Sequence, residues 1–189
     1  MFRSLIAVIT GLASIAISPA AAAARGCDRS LEAPAGSLIG RFWRSSGGPH
    51  SVYGCPTTKE YGYADKPGSW QRFANGTIGW SPDLGGGALV RVFSDGDLVL
   101  KWSGLARDWD FFNVRWSRDG GRTTQVKVRR STPWSGQFVL APFVSGGVGT
   151  TTGGEEQVPF AFIVQGCGRT TFGSECGPWS TPASIRVAH

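Results

Sequence analysis

Three observations predict a mainly β protein. The 189-residue chain is heavily punctuated, with 28 Gly and 11 Pro. Short runs of alternating apolar and polar residues lie between turn pairs such as Gly47-Gly48, Asn75-Gly76, Asp95-Gly96, Asp119-Gly120, Gly146-Gly147 and Gly153-Gly154. After residue 25, no stretch sustains the apolar period of a helix. Gly85, Gly86 and Gly87 form the natural place to divide the chain, which gives residues 1–24, 25–87 and 88–189 as the expected units.

The first unit, "MFRSLIAVITGLASIAISPAAAAA", has one early charge, Arg3, then an apolar run over 5–17, a Pro and a string of Ala. This is the layout of a secretory signal peptide with a small-residue cleavage site before Arg25. The apolar run is shorter than the ~20 residues that span a bilayer. No later stretch is apolar enough to cross, so the mature chain is expected to be secreted or cell-surface associated, without a transmembrane segment. Removing the leader takes one charge, Arg3, from a formal net charge of +6. The remaining basic excess favours an acidic partner. The longest basic run is Arg129-Arg130, too short for a nucleic-acid arm. An acidic envelope polymer such as cell-wall polysaccharide is therefore the expected partner class, with an extracellular protein as the second.

The cysteines are Cys27, Cys55, Cys167 and Cys176. Exported chains keep disulfides, and an even count fits two of them. Three pairings are open. Cys27–Cys55 with Cys167–Cys176 is preferred because each bridge then stays inside one unit. Zinc is the rival, but no pair has C-x-x-C spacing and the only histidines are His50 and His189. No metal or other cofactor is expected.

In residues 25–87 the informative stretch is "WQRFANGTIGW". Asn75-Gly76 predicts a hairpin with a type I′ turn, which requires positive φ at both central positions. Phe73 and Ile78 then lie near the turn and read as core for a small unit that needs large side chains. Trp70 and Trp80 lie farther out. With Arg72 between them in sequence, they are the candidate ligand contacts: an indole face stacks on a sugar ring while the guanidinium takes a hydroxyl or carboxylate.

Residues 88–189 supply cleaner strands. Leu98, Leu100 and Trp102 share a face, as do Phe112, Val114 and Trp116, then Val126 and Val128, then Phe160, Phe162 and Val164. "GQFVLAPFV" is apolar throughout and "ASIRVA" closes the chain. One apolar and one polar face per strand is the requirement of an antiparallel sandwich.

Two resemblances follow from these motifs. Gly47-Gly48, Gly54-x-Pro56-Thr57 and Gln71-x-Phe73-x-Asn75-Gly76-x-Ile78-x-Trp80-Ser81-Pro82, with Gly85 closing, resemble the LGFP repeat over about 38–86. Tyr53 and Cys55 replace the Leu and Phe of that motif, and Cys55 suits a buried bridge to Cys27. The resemblance implies attachment to a cell wall. The strand motifs from Leu98 to Val164, with Gly177-Pro178-Trp179-Ser180 before the last strand, resemble a fibronectin type III domain over about 88–188. Phe160 stands where that family places a strand-opening Tyr, and a Cys167–Cys176 bridge would be an addition in the loop before the last strand. The expected fold is thus a small LGFP-like β module followed by a fibronectin type III-like antiparallel β-sandwich.

Catalysis has little to stand on. G-x-S-x-G, H-E-x-x-H and phosphate-loop motifs are absent from the sequence. His50 reads as a loop histidine. Asp108 and Asp110 beside Trp109 are the nearest thing to paired carboxylates, and they read as a loop entering a strand. Glu155-Glu156 reads as a polar loop. The expectation is a non-enzymatic envelope-binding protein. The alternatives are a secreted cell-wall hydrolase, or an accessory or inhibitor protein acting through the fibronectin-like loops.

Overall fold

The structure, a computed structural model, describes residues 26–140 and 157–188. The leader at 1–24, the turn pairs at 146–147 and 153–154, Glu155, Glu156 and His189 lie outside the described residues. The described chain forms one short helix and eleven strands: α1 (Leu38–Ser45), β1 (Tyr61–Gly62), β2 (Ser69–Phe73), β3 (Gly76–Trp80), β4 (Leu89–Asp95) and β5 (Asp97–Ser103) come first. β6 (Phe111–Arg118), β7 (Thr124–Arg129), β8 (Gly136–Leu140), β9 (Gln157–Thr170), β10 (Gly173–Trp179) and β11 (Ala183–Ala188) complete it. The protein is mainly β, with two antiparallel sheets. One sheet has the order β1-β2-β3-β4-β5-β8; the other is β10-β9-β6-β7, with β11 also on β9.

The two sheets face each other across the core that the alternation predicts. Val90, Val92, Leu98, Leu100 and Trp102 from one sheet meet Phe112, Val114, Phe160, Phe162 and Val164 from the other, and all ten are buried. Trp102 meets Phe112 edge-on at 5.0 Å between ring centres, a favoured aromatic geometry.

A second core occupies the opposite face of the first sheet. Phe73, Ile78, Leu89 and Phe93 are covered there by Ile39 and Trp43 of α1 and by Tyr53. The protein is therefore layered as helix and loop, then sheet, then sheet. α1 is a helix that the apolar period of the sequence does not reveal. Ser37 caps it, its Oγ accepting from the Gly40 N–H at 3.1 Å. Ile39 and Trp43, one turn apart, are its buried side chains, with Gly40 beside them. Eight residues are too few to show a sustained stripe, so a period search passes over it.

Gly76 is placed differently from the expected turn. Phe73 pairs with Gly76, so Ala74 and Asn75 make the turn and Gly76 opens β3. Its φ is not in the left-handed region, and Asp119 is the sole non-glycine residue with positive φ among the described residues. The glycine is needed for a different reason. A Cβ there would fall against the Val92 carbonyl oxygen and lie 2.9 Å from Phe93 Cβ. Asn75 is tied on both sides instead: its N–H donates to Tyr53 O at 3.0 Å and its carbonyl accepts from Ser94 N at 3.0 Å.

The glycines at 85–87 connect β3 to β4, and these strands pair from Gly76↔Phe93 to Trp80↔Leu89. The first sheet thus runs continuously across the division drawn from the sequence. Further bonds cross the same division: Tyr63 Oη donates to Pro182 O at 2.7 Å, Thr77 Oγ1 to Ser184 O at 2.6 Å, and Thr181 N to Ser81 Oγ at 2.9 Å.

Both disulfides have the preferred pairing, Cys27–Cys55 and Cys167–Cys176. The second does not sit in an open loop. Cys167 and Cys176 are directly opposed in the β9–β10 ladder, which continues to Thr170↔Gly173 and turns through Thr171 and Phe172. Phe172 is fully exposed at that tip.

Candidate functional site

Alternation along β2 decides which of the ligand candidates can act together. Gln71 and Phe73 point to the second core, so Trp70 and Arg72 share the other face. Gln71 is a buried anchor, donating through Nε2 to Leu31 O at 2.6 Å and Thr58 O at 2.9 Å. Trp70 packs on Tyr61 with ring centres 5.4 Å apart, and the Arg72 guanidinium carbon lies 5.2 Å from the Trp70 ring centre. Tyr61 is half exposed and Arg72 exposed, so the three form a surface ladder of two rings and a cation.

Trp80 is not part of that ladder. It pairs with Ser69 across the hairpin, packs against the second core, and spends its Nε1–H on Gly86 O at 3.0 Å. The structure brings Trp70 and Arg72 together and sets Trp80 on the opposite face of the sheet. One ligand does not touch all three.

Beside Arg72 the margin of β2 and β3 meets β11 and the start of β9. A cleft of about 360 Å³ opens there, with Arg72, Thr57 and Thr77 on one wall and Ser184, Arg186 and Gln157 on the other. Among the described residues its lining contains no carboxylate. Its floor is fixed by the Thr77 to Ser184 hydrogen bond. Arg72 is held by its backbone: its N–H donates to Thr58 Oγ1 at 3.1 Å and its carbonyl accepts from Thr57 N at 2.9 Å. Among the described residues, neither Arg72 nor Arg186 has an ion-pair partner; the ion pair present is Lys66–Asp65 at 3.3 Å. Two planar, permanently charged forks converging on a cleft lined with hydroxyls suit an oxyanion. Sequence reading found Arg72 and missed Arg186, because β11, paired with β9, packs beside β3 and no local motif signals it.

Among the remaining described candidates, Asp110 and its neighbour Trp109 brace a hairpin. Asp110 Oδ2 accepts from Arg169 N at 2.7 Å, and Asp110 N donates to Cys167 O at 2.9 Å, so this carboxylate seats the β9–β10 hairpin. The Trp109 ring lies over Gly166 and Gly177 of the same hairpin, where a Cβ on Gly177 would come within 2.9 Å of the indole. His50 is exposed in a short 3-10 turn. Among the described residues no group of three His, Cys, Asp or Glu is placed to hold a metal ion, and no helix is long and apolar enough to cross a membrane.

No curated protein and no solved structure matches the chain. A family model does match within it, over residues 53–107. The match starts later and ends later than the expected 38–86 span, because it takes in β4 and β5, the two strands that continue the sheet from β3. Residues 53–107 are similar to the LGFP repeat, a cell-envelope-associated repeat, and this fits a cell-surface protein.

Proposed function

We propose that this is a secreted, non-enzymatic envelope protein that holds an acidic cell-wall polymer in the cleft between β2 and β11. The observation that carries the reading is that Arg72 and Arg186, from distant parts of the sequence, line one cleft in which no described residue is a carboxylate. The Tyr61, Trp70 and Arg72 ladder leads into that cleft and offers ring faces on which sugars stack. Export by the leader at 1–24, the disulfides and the LGFP similarity support the location. The order β4-β5-β8 opposite β10-β9-β6-β7 supports a fibronectin type III-like reading of residues 88–188, with the sandwich as the body on which the cleft is mounted.

The test is retention of the chain from residue 25 onward on purified, insoluble wall material across a salt series, with glycan release measured in the same samples. Retention falls steeply toward physiological salt, where the screening length is about 8 Å. The Arg72→Gln/Arg186→Gln double variant loses at least tenfold in affinity, and Trp70→Ala loses binding at every salt. No glycan is released. Equal retention of the double variant refutes the cleft, and released glycan refutes the non-enzymatic reading.

A second reading rests on Phe172. It is fully exposed at the tip of a hairpin braced by Cys167–Cys176, a preorganised apolar anchor of the kind that inserts into a protein pocket. That favours an accessory role with an extracellular protein, through a surface remote from the cleft.

A further inference from the structure

The opposite face of the first sheet carries a charge arrangement that the cleft does not use. One cross-strand row runs Ile78↔Arg91, Arg91↔Lys101 and Lys101↔Gln137 over β3, β4, β5 and β8. Residues directly opposed on antiparallel strands share a face and stand about 5 Å apart at Cβ. The Cβ atoms of Arg91, Lys101 and Gln137 therefore stand in one row. Two like charges in direct opposition destabilise a sheet unless something offsets them.

No acidic side chain within the described protein offsets them. Neither cation has an ion-pair partner among the described residues. Asp95 and Asp97 lie on the same two strands but four residues away, about 13 Å along an extended strand. Arg91 Nη2 donates to the Ser103 hydroxyl at 3.1 Å, while its Nε is buried with no partner. Burial also works against its charged form, lowering its pKa from the usual arginine value, with the nearby Tyr53 opposing this. The Arg91 guanidinium lies 4.5 Å from the Phe42 ring centre, and Lys101 Nζ lies 5.5 Å from that of Phe93. Aromatic stacking accounts for where the two cations rest. It does not supply a counter-charge.

The row also runs from cover into the open. Phe42 of α1 reaches over Arg91, whereas Gln137 is exposed and its neighbour on the same face, Val139, is 40% exposed. A ligand lying on the faces of β5 and β8 meets Lys101 and Gln137 first and the edge of the Arg91 guanidinium next.

We propose that Arg91 and Lys101 form a second oxyanion site, which takes a carboxylate or phosphate group of a ligand laid on the open face of β5 and β8. Gln137 donates the flanking hydrogen bond. The site does not depend on the cleft: Arg72 points to the other side of the sheet, so the two sets of residues are separable by substitution.

The experiment is an NMR titration of the chain from residue 25 onward, at fixed ionic strength, with inorganic phosphate in one arm and galacturonate in the other. The readouts are the Arg91 Nε–H signal and the backbone amides of residues 91, 101 and 137. A saturable shift at these positions in either arm is expected, and the responding arm names the source as phosphate-bearing or uronate-bearing. Lys101→Gln weakens the response at least tenfold, while Arg72→Gln/Arg186→Gln leaves it unchanged. Lys101 is only half-buried, so its variant keeps the fold. Absence of a saturable shift in both arms, or an equal response in Lys101→Gln, overturns the site whatever happens at the cleft.

Discussion

Replacing Gly76 by Asn separates two reasons for a glycine in this hairpin. If Gly76 served a turn that needs positive φ, Asn would be the best-tolerated substitute, because it visits the left-handed region with little strain. The structure gives another reason. A Cβ at 76 falls against Val92 O, lies 2.9 Å from Phe93 Cβ and lies 3.0 Å from Phe93 Cα. All these atoms belong to β4, an interior strand held between β3 and β5, so the neighbour has nowhere to move. Overpacking of this kind costs about 1–3 kcal/mol. For a chain of this size each kcal/mol lowers Tm by roughly 2–4 °C, so a fall of about 3–10 °C is expected for Asn and for Ala alike. Thermal unfolding followed by tryptophan fluorescence under oxidising conditions measures it. An Asn variant within about 1 °C of wild type, with Ala clearly worse, would refute the close-approach explanation.

Non-reducing peptide mapping recovers Cys27 joined to Cys55 and Cys167 to Cys176; any peptide linking Cys27 to Cys167 contradicts the fold. Residues 88–189 alone retain almost the whole sandwich core but uncover Leu89 and Phe93, so this fragment self-associates in size-exclusion chromatography and Leu89→Ser/Phe93→Ser renders it monomeric. A monodisperse wild-type fragment with cooperative unfolding would show that the halves are independent. Burial pushes the Tyr53 phenol up to about 12 from its usual 10.0. Its folded pKa lies above its unfolded one, so the associated stability is complete below pH 10 and is lost as pH rises from 10 to 12. Tyr53→Phe flattens that alkaline loss, and denaturant midpoints across pH 9–12 with no difference between the two proteins would count against it.

Elements with one strongly apolar face are legible in the sequence. Leu98, Leu100 and Trp102 alternate with half-buried neighbours on the opposite face, and the same holds for Phe160, Phe162 and Val164. α1 was not readable, since its stability comes from Ile39 and Trp43 meeting a sheet that forms later in the chain. The glycines at 85–87 read as a linker, yet they make a tight connection. Ala88 N donates to Gly85 O at 2.9 Å, and a Cβ on Gly85 would lie 2.7 Å from Ala106 N. At the site, Trp70 and Arg72 were legible because both lie in one motif. Arg186, Arg91 and Lys101 were not, because strand order alone gives them their partners.

β4 explains why both candidate sites lie where they do. Val90 and Val92 belong to the sandwich core, and Leu89 and Phe93 to the second core, so both faces of this strand are packed shut. A ligand reaches the sheet only where one cover ends. On the sandwich side, cover thins at β2, beyond β11, and there Arg72 and Arg186 line one cleft. On the helix side it thins beyond β4, and there Lys101 and Gln137 emerge beside Arg91. Charged groups left without partners are costly inside a core and tolerable at its edge, where solvent or a ligand anion completes them. The margins of the first sheet are thus where Arg72 and Lys101 stand next to solvent. Filling the edge of the second core, rather than emptying it, should therefore silence the helix-side site: Gln137→Trp blocks approach to Lys101 without touching a buried residue. Anion-dependent shifts at Arg91 then disappear while retention on wall material through the cleft persists, and persistence of those shifts would place the anion elsewhere.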